Sequence, residues 1–282
     1  MPRQPRPGRS ARLQGRLLGR PLGRPPFDAV AELYDQVRPG YPDDALDALI
    51  ALAGLPRRGR VLEIGAGTGQ MTVPLAERGY HITAVEIGEH LAERLRRNTG
   101  EYGDVEVVCG RFEDTELPTR SYDLVTAAMA FHWLDRQVAY DKAAALLRRT
   151  GALGLIFNIH VDSDTGYFAA SEDVYRRHAP HIWGTGTSGS LAKQAEWRGE
   201  IDATGLFGDV QIRSHPWSVS YSRDTYLQLL STYSDHIRLE PAAREALFAD
   251  LGALIDRRFH GTVDKHHDAL VVVAPVLPAG AS

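Results

Sequence analysis

Between Arg60 and about Phe157 the chain alternates short apolar runs with stretches of helical periodicity, and nothing else in it limits the fold as much. The runs are RVLEIG, HITAVE, VEVVCG, YDLVTAA and LGLIFN. Between them lie MTVPLAERG, HLAERLRRN and a longer helical pattern, QVAYDKAAALLRRT. Short runs rich in Val and Ile read as strands buried on both faces, and strands separated by helices pair in parallel. The longest helix is expected to run through Arg148 and Arg149, which complement its negative end, and to stop at Gly151. DVQIRSHPWSVSYS, strand-like but interrupted at Pro216, and DALVVVAPV add two strands. A doubly wound α/β fold with a seven-stranded, mostly parallel sheet is therefore predicted.

Ahead of this core, FDAVAELYDQV reads as a short amphipathic helix closed by RPGYP. Pro42 opens a second helix, with Leu46, Leu49, Ile50 and Ala53 on one face and Gly54 and Pro56 at its end. After Asn158 the rhythm stops. Residues 159–190 are polar, aromatic and Gly-rich, with a helix expected from about Leu191. SRDTYLQLLSTYSDH and a longer stretch through Leu247, Leu251, Leu254 and Ile255 are helical in pattern. Segments 159–190 and 222–262 are read as helical insertions forming a lid over the carboxyl edge of the sheet, where ligands bind in such folds.

The chain is mildly acidic, but unevenly so. Residues 1–26 hold seven arginines (Arg3, Arg6, Arg9, Arg12, Arg16, Arg20, Arg24) and no acid, so without them the formal net charge goes from −4 to −11. This reads as a disordered basic tail, although an organellar transit peptide shares the composition, and residues 27–282 read as one domain. An acidic body argues against nucleic acid as a partner. Cys109 is the only cysteine, which excludes an intrachain disulfide and a Cys-rich metal site. No apolar run approaches a membrane span, and a cytoplasmic protein is expected.

The chemistry starts at VLEIGAGTGQ, residues 61–70. Glycines at 65, 67 and 69 let the chain turn sharply from strand to helix and let a ligand approach the backbone. Glu63 lies inside the strand just before them, where a buried carboxylate needs a partner. Glu86 ends the next strand, at the distance where a carboxylate accepts hydrogen bonds from both ribose hydroxyls. A dinucleotide pyrophosphate favours G-x-G-x-x-G and no anion nearby. Here the spacing is G-x-G-x-G behind a carboxylate, which repels a pyrophosphate and suits an ammonium. A nucleoside joined to an amino acid fits that description, as in S-adenosylmethionine.

VLEIGAGTGQMTVPLAERG, then AVEIGEHLAERLR, then GRFEDTELPTRSYDLVTAAMAFHW resemble the class I S-adenosylmethionine-dependent methyltransferases over roughly residues 27–160. The resemblance implies that Gly65, Ala66, Gly67 and Gly69 line the methionine and sugar portions of the cofactor. It implies further that Glu63 supports that loop, Glu86 takes the ribose, Ile87 packs on the adenine, and Ala128 ends the strand beside it. The third motif departs from the pattern, which carries an acid one place before an alanine. Here Arg111 and Phe112 hold those places. Phe112 can still offer its backbone N–H to the ring, and Glu113 is the candidate replacement for the acid, a solvated loop carboxylate being the alternative.

Phe131-His132-Trp133 and the pattern from Tyr34 to Pro42 narrow the likeness to small-molecule enzymes of the trans-aconitate and juvenile-hormone-acid type. The methyl group of the cofactor is already activated, so such a site mainly aligns the reactants and excludes water. A carboxylate acceptor needs only donors, which His132 and Trp133 carry. A hydroxyl acceptor instead wants His132 as general base; a packing histidine is the third reading. Tyr34 and Arg38 lie in the segment that, by resemblance, closes over the cofactor, and an arginine pairs with carboxylates. In the lid segments His178, His181, Trp183, Tyr226, Tyr233 and His236 suit an apolar substrate pocket with a few polar contacts, or form the lid's own core. Trp183 and Tyr233 are taken as substrate-binding residues. His178-x-x-His181 has metal spacing without a third ligand, so no metal is expected, and His266-His267 is expected at the surface. These features predict methyl transfer to oxygen of a small molecule, a carboxylate before a hydroxyl. N- or C-methylation of a secondary metabolite, action on RNA or protein, and cofactor binding without transfer are the alternatives.

Overall fold

The computed structural model describes residues 26–161, 166–182 and 190–278; residues 1–25 of the arginine-rich tail and Trp183 lie outside them. The apolar runs become β1 (Arg60–Ile64), β2 (His81–Glu86), β3 (Val105–Cys109), β4 (Tyr122–Ala128) and β5 (Leu147–His160). With β6 (Gln211–Ser222) and β7 (Thr262–Pro275) they form one seven-stranded sheet in the order β3-β2-β1-β4-β5-β7-β6. The first five strands pair in parallel, and β7 runs antiparallel to both β5 and β6.

A 3₁₀ turn at Pro26–Val30 leads into α1 (Ala31–Val37), followed by α2 (Asp43–Leu52), α3 (Thr72–Glu77), α4 (Glu89–Asn98) and α5 (Arg136–Leu146). Successive strand residues face opposite ways, so the sheet has a core on each side. Leu62, Ile64, Val125 and Leu153 pack with Phe131, Tyr140 and Trp197. Val61, Leu124, Ile156 and Val271 pack with Leu46 and Leu49 of α2 and Leu75 of α3. The later helices are α6 (Tyr167–His178), α7 (Ser190–Thr204), α8 (Arg223–Leu230), α9 (Ser234–Ile237) and α10 (Pro241–Phe259). Tyr175, Leu229, Leu247 and Leu251 of α6, α8 and α10 build a third core that takes in Val37 of α1. α6 follows the carboxyl end of β5, and α8 to α10 join β6 to β7 on that same edge.

Four sequence expectations are corrected. The helix expected through Arg149 ends at Leu146, and Arg148 and Arg149 belong to β5. The buried Asp123 of β4 accounts for this: its oxygens accept from Arg148 Nη1 at 2.7 and 2.9 Å and from the Arg60 N–H at 2.8 Å, drawing residue 148 into the sheet. Pro216 does not interrupt β6, which runs past it opposite Asp268. An edge strand tolerates proline because some of its N–H groups face away from the ladder. β7 begins at Thr262, six residues before DALVVVAPV. His267 is therefore buried in the sheet rather than at the surface, stacked on Trp217 at 5.3 Å between ring centroids. No helix of the described residues is long and apolar enough to cross a membrane. No group of three His, Cys, Asp or Glu side chains among them could hold a metal ion.

Candidate active site

The turn after β1 needs its glycines for different reasons. Gly65 and Gly67 have φ of +67° and +61°, a region that side chains disfavour. A Cβ on Gly65 would stand 2.4 Å from the Cβ of Ala130, and one on Gly67 would meet Gln70 Oε1 at 3.2 Å and the Tyr34 ring at 3.5 Å. Both glycines line a cavity of about 310 Å³ at the carboxyl edge of the sheet. Gly69 does not; a Cβ there would press on Leu95 and Val73 at 3.1 and 3.2 Å, so its task is helix packing. Ala66 is buried under the turn, also off the cavity wall.

Two acids hold this turn. Glu63 is 1% exposed, and its Oε2 accepts a hydrogen bond from Thr72 Oγ1 at 2.7 Å. Burial, reinforced by the Glu86 charge, pushes its pKa up to about 8. A carboxyl that titrates higher folded than unfolded binds extra protons in the native state between those two values, so stability falls as pH rises through that window. The unliganded protein is expected to melt at lower temperature at pH 8 than at pH 6, and Glu63→Gln to flatten that slope. An unchanged slope in the variant, read by thermal denaturation, would assign the titration elsewhere.

Glu86 ends β2 and ties two loops together, Oε2 accepting from the Gly67 N–H at 2.9 Å and Oε1 from the Gly88 N–H at 2.8 Å. Burial raises its pKa to about 6 against the pull of those amides. Each oxygen keeps a lone-pair direction for a further donor. Beside it Ile87 and Phe112 supply apolar wall, and Glu113, Ala128, Trp133 and Tyr34 also line the cavity. The loop carrying Phe112 and Glu113 is held by Lys142, whose Nζ donates to the carbonyls of Phe112, Glu113 and Thr115 at 2.6, 3.1 and 2.6 Å.

Other expected site residues stand outside this wall. His132 is not among the lining residues; its ring tilts against Trp133 with centroids 5.0 Å apart. Burial, with Arg136 and Lys193 nearby, pushes its pKa down to about 4, so it is neutral at pH 7. Arg38 donates from Nε to Thr232 Oγ1 and from Nη2 to the Thr232 carbonyl, both at 2.8 Å. Its guanidinium lies 4.9 Å from the Tyr34 ring centroid and 4.4 Å from that of Tyr233. His178 binds Asp250 at 2.9 Å and His236 binds the Tyr175 hydroxyl at 3.0 Å. Tyr226 is 2% exposed within the third core, and His181 is exposed.

Sequence reasoning missed Phe27, Asp135 and Arg238, all on the cavity wall, and it missed Lys142. It also passed over Asp28, buried in the middle of the N-terminal turn. The Asp28 Oδ1 accepts from the backbone N–H groups of His90 and Leu91 at 2.9 and 3.1 Å, pinning that turn to the start of α4. An acid beside Phe27 ahead of a helix was the available signal. Arg238 had none, because its place depends on a short helix a hundred residues beyond β4.

Residues 62–155 match the family model described as a methyltransferase domain. An uncharacterized methyltransferase of Mycobacterium tuberculosis is 36% identical over 132 residues, covering 47% of this chain and 51% of that protein. The chain thus spans about half the length of these curated mycobacterial relatives. An uncharacterized methyltransferase-like protein of Schizosaccharomyces pombe is 25% identical over 222 residues, 77% of this chain and 81% of that one. A solved structure from Anaeromyxobacter dehalogenans, described as a candidate type II methyltransferase, superposes with a TM-score of 0.62 at 20% identity, covering 86% of this chain and 99% of that one. Sheet order, glycine turn and family match agree: residues 62–155 are similar to the methyltransferase domains that use S-adenosylmethionine.

Proposed function

We propose that this chain transfers the methyl group of S-adenosylmethionine to an oxygen atom of a small molecule. The observation that carries the reading is Glu86, a buried carboxylate that braces the glycine turn and still faces the cavity. The residues fit the cofactor. Gly65 and Gly67 leave backbone where a Cβ would intrude, Glu86 would accept from the ribose hydroxyls, and Ile87 and Phe112 would supply apolar contact to the adenine. Glu63 sits behind the turn and supports it through Thr72. Once bound, S-adenosylmethionine supplies a methyl group already activated by its sulfonium.

The chain's own part is alignment and exclusion of water. Met129 and Trp133 close the cavity beyond β4, and the helices α6 and α8 to α10 act as a lid over it. His132 stands behind Trp133 as a neutral positioning group. Its depressed pKa and its place off the wall favour an acceptor that needs no base, a carboxylate before a hydroxyl. His132→Gln is accordingly expected to lower kcat less than ten-fold. The pH–rate profile should show no limb near 6.5 in either protein. A limb there that vanishes in the variant would make His132 the base.

Calorimetric titration with S-adenosylmethionine and S-adenosylhomocysteine tests the cofactor. Mass-spectrometric detection of S-adenosylhomocysteine formed with carboxylic acids and phenols then tests the transfer. Micromolar cofactor binding followed by acceptor-dependent product is the expected result. Failure of the folded protein to bind either compound would sink the reading, and binding without product from any acceptor would leave a cofactor-binding module instead.

A further inference from the structure

On the same edge of the sheet as the cavity, two cations face one aromatic ring, and among the described residues no acid neutralises either. Lys265 of β7 is only 7% exposed. Its Nζ lies 5.5 Å from the Phe168 ring centroid and 5.7 Å from that of Tyr233. Arg38 meets the same Tyr233 ring, and its hydrogen bonds go to the neutral Thr232. Among the described residues neither cation has a carboxylate partner. Lysines are almost never buried without a counter-ion, because desolvating an ammonium costs several kcal/mol. Aromatic faces offset only about 0.5–2 kcal/mol of that each.

The register explains why Lys265 ends up here. β5 outruns β4 at its carboxyl end, so that His160 pairs with His267, and Lys265 lies two residues further along β7, opposite Val219 of β6. Val263, Lys265 and His267 share the inward face of β7. Two lines of contact lead from Lys265 to the cavity wall. One runs through Tyr233 and Arg38 to Tyr34. The other passes His267, stacked on Trp217, whose Nε1 donates to Asn158 Oδ1 at 3.2 Å; the Asn158 N–H in turn meets Met129 Sδ at 3.2 Å. Around Lys265 and Arg38 stand the imidazoles of His236 and His267 and the phenols of Tyr34, Tyr175, Tyr221 and Tyr233. Lys265 helps keep His236 and His267 neutral. Lys265 and Arg38 thus lie among aromatic rings, and among the described residues neither is paired with a carboxylate.

We propose that Lys265, assisted by Arg38, is the specificity-determining residue for the acceptor: it pairs with a carboxylate on a small molecule whose apolar body lies against Phe168, Tyr233 and Trp217. This rests on the methyl-transfer reading and supplies its substrate class. The test uses the full chain saturated with S-adenosylhomocysteine, titrated calorimetrically with phenylacetate against phenylacetamide and with hexanoate against hexanamide.

At least one acid is expected to bind ten-fold or more tightly than its amide. Lys265→Met should erase that preference while S-adenosylhomocysteine affinity stays within about two-fold, and Lys265→Arg should retain it. If Lys265→Met proves unfolded, the side-chain NMR signal of Lys265 in the wild-type protein decides: it moves on adding acid but not amide. No acid preference in either pair, a preference that survives in Lys265→Met, or an unmoved signal overturns the assignment. A wild-type protein that binds no S-adenosylhomocysteine overturns the methyl-transfer reading itself, which separates the two failures.

Discussion

Glu86→Ala is expected to weaken S-adenosylhomocysteine binding by about a hundred-fold or more. The carboxylate accepts from Gly67 and Gly88 at 2.9 and 2.8 Å and offers its remaining lone pairs to the cavity. Hydrogen bonds to a charged group contribute roughly 1.5–3 kcal/mol each, and about 1.4 kcal/mol is ten-fold in affinity. Two lost ribose contacts alone therefore reach the hundred-fold range. Release of the Gly67 and Gly88 amides adds a loss of cavity order on top. Glu86→Gln keeps one acceptor oxygen but turns an amide N–H₂ toward one of those backbone donors, so it should fall between the two proteins. Because burial raises the Glu86 pKa to about 6, wild-type affinity should also decline as pH drops through 6, while Glu86→Ala loses that dependence. Calorimetry at pH 5, 6 and 7.5 reads both effects. A variant that binds within three-fold of wild type would remove Glu86 from the cofactor site.

The second large effect belongs to Gly65→Ala. The new methyl meets the Ala130 Cβ at 2.4 Å, and the residue must also hold φ at +67°. The left-handed conformation costs roughly 1–2 kcal/mol, and overpacking typically adds about 1–3 kcal/mol. A combined loss near 3 kcal/mol lowers Tm by roughly 6–12 °C in a chain of this size. Relaxing the clash pushes Ala130, itself on the cavity wall, toward the bound cofactor, so S-adenosylhomocysteine binding should fall below detection. Gly54→Ala is the control, with φ of +57° and no atom within 4 Å of the added Cβ. It should lose only the conformational part, and cofactor binding should stay intact. Equal losses in the two variants would show that backbone conformation, not contact with Ala130, sets the requirement for glycine.

What could be read before any coordinates were known has a common character. The strands β1 to β5, the turn at Gly65 and Gly67, and the placing of Glu86 beside that turn all depend on neighbours in the chain or on the adjacent parallel strand. β1 and β2 pair in a simple register, Glu63 opposite Ala84, so an acid ending β2 must arrive beside the turn that ends β1. Where the expectation failed, a distant partner intervened. Asp123 draws Arg148 into β5, which ended the helix at Leu146 although its pattern continued.

The polar character of TVDKHHD concealed a buried strand, because β7 takes its place from β5 and β6 on either side, over a hundred and about fifty residues earlier. Arg38 was expected to pair with a carboxylate of cofactor or substrate; its side chain instead binds Thr232, 194 residues away. Amino-acid order alone determined the α/β class, the strands of the parallel half and the cofactor turn, since these follow from local conformational preference and the alternation of apolar residues. Tertiary structure alone decided that His132 lies off the cavity wall and that Lys265 is buried with no carboxylate partner among the described residues, because burial and charge compensation belong to residues brought together from separate parts of the chain.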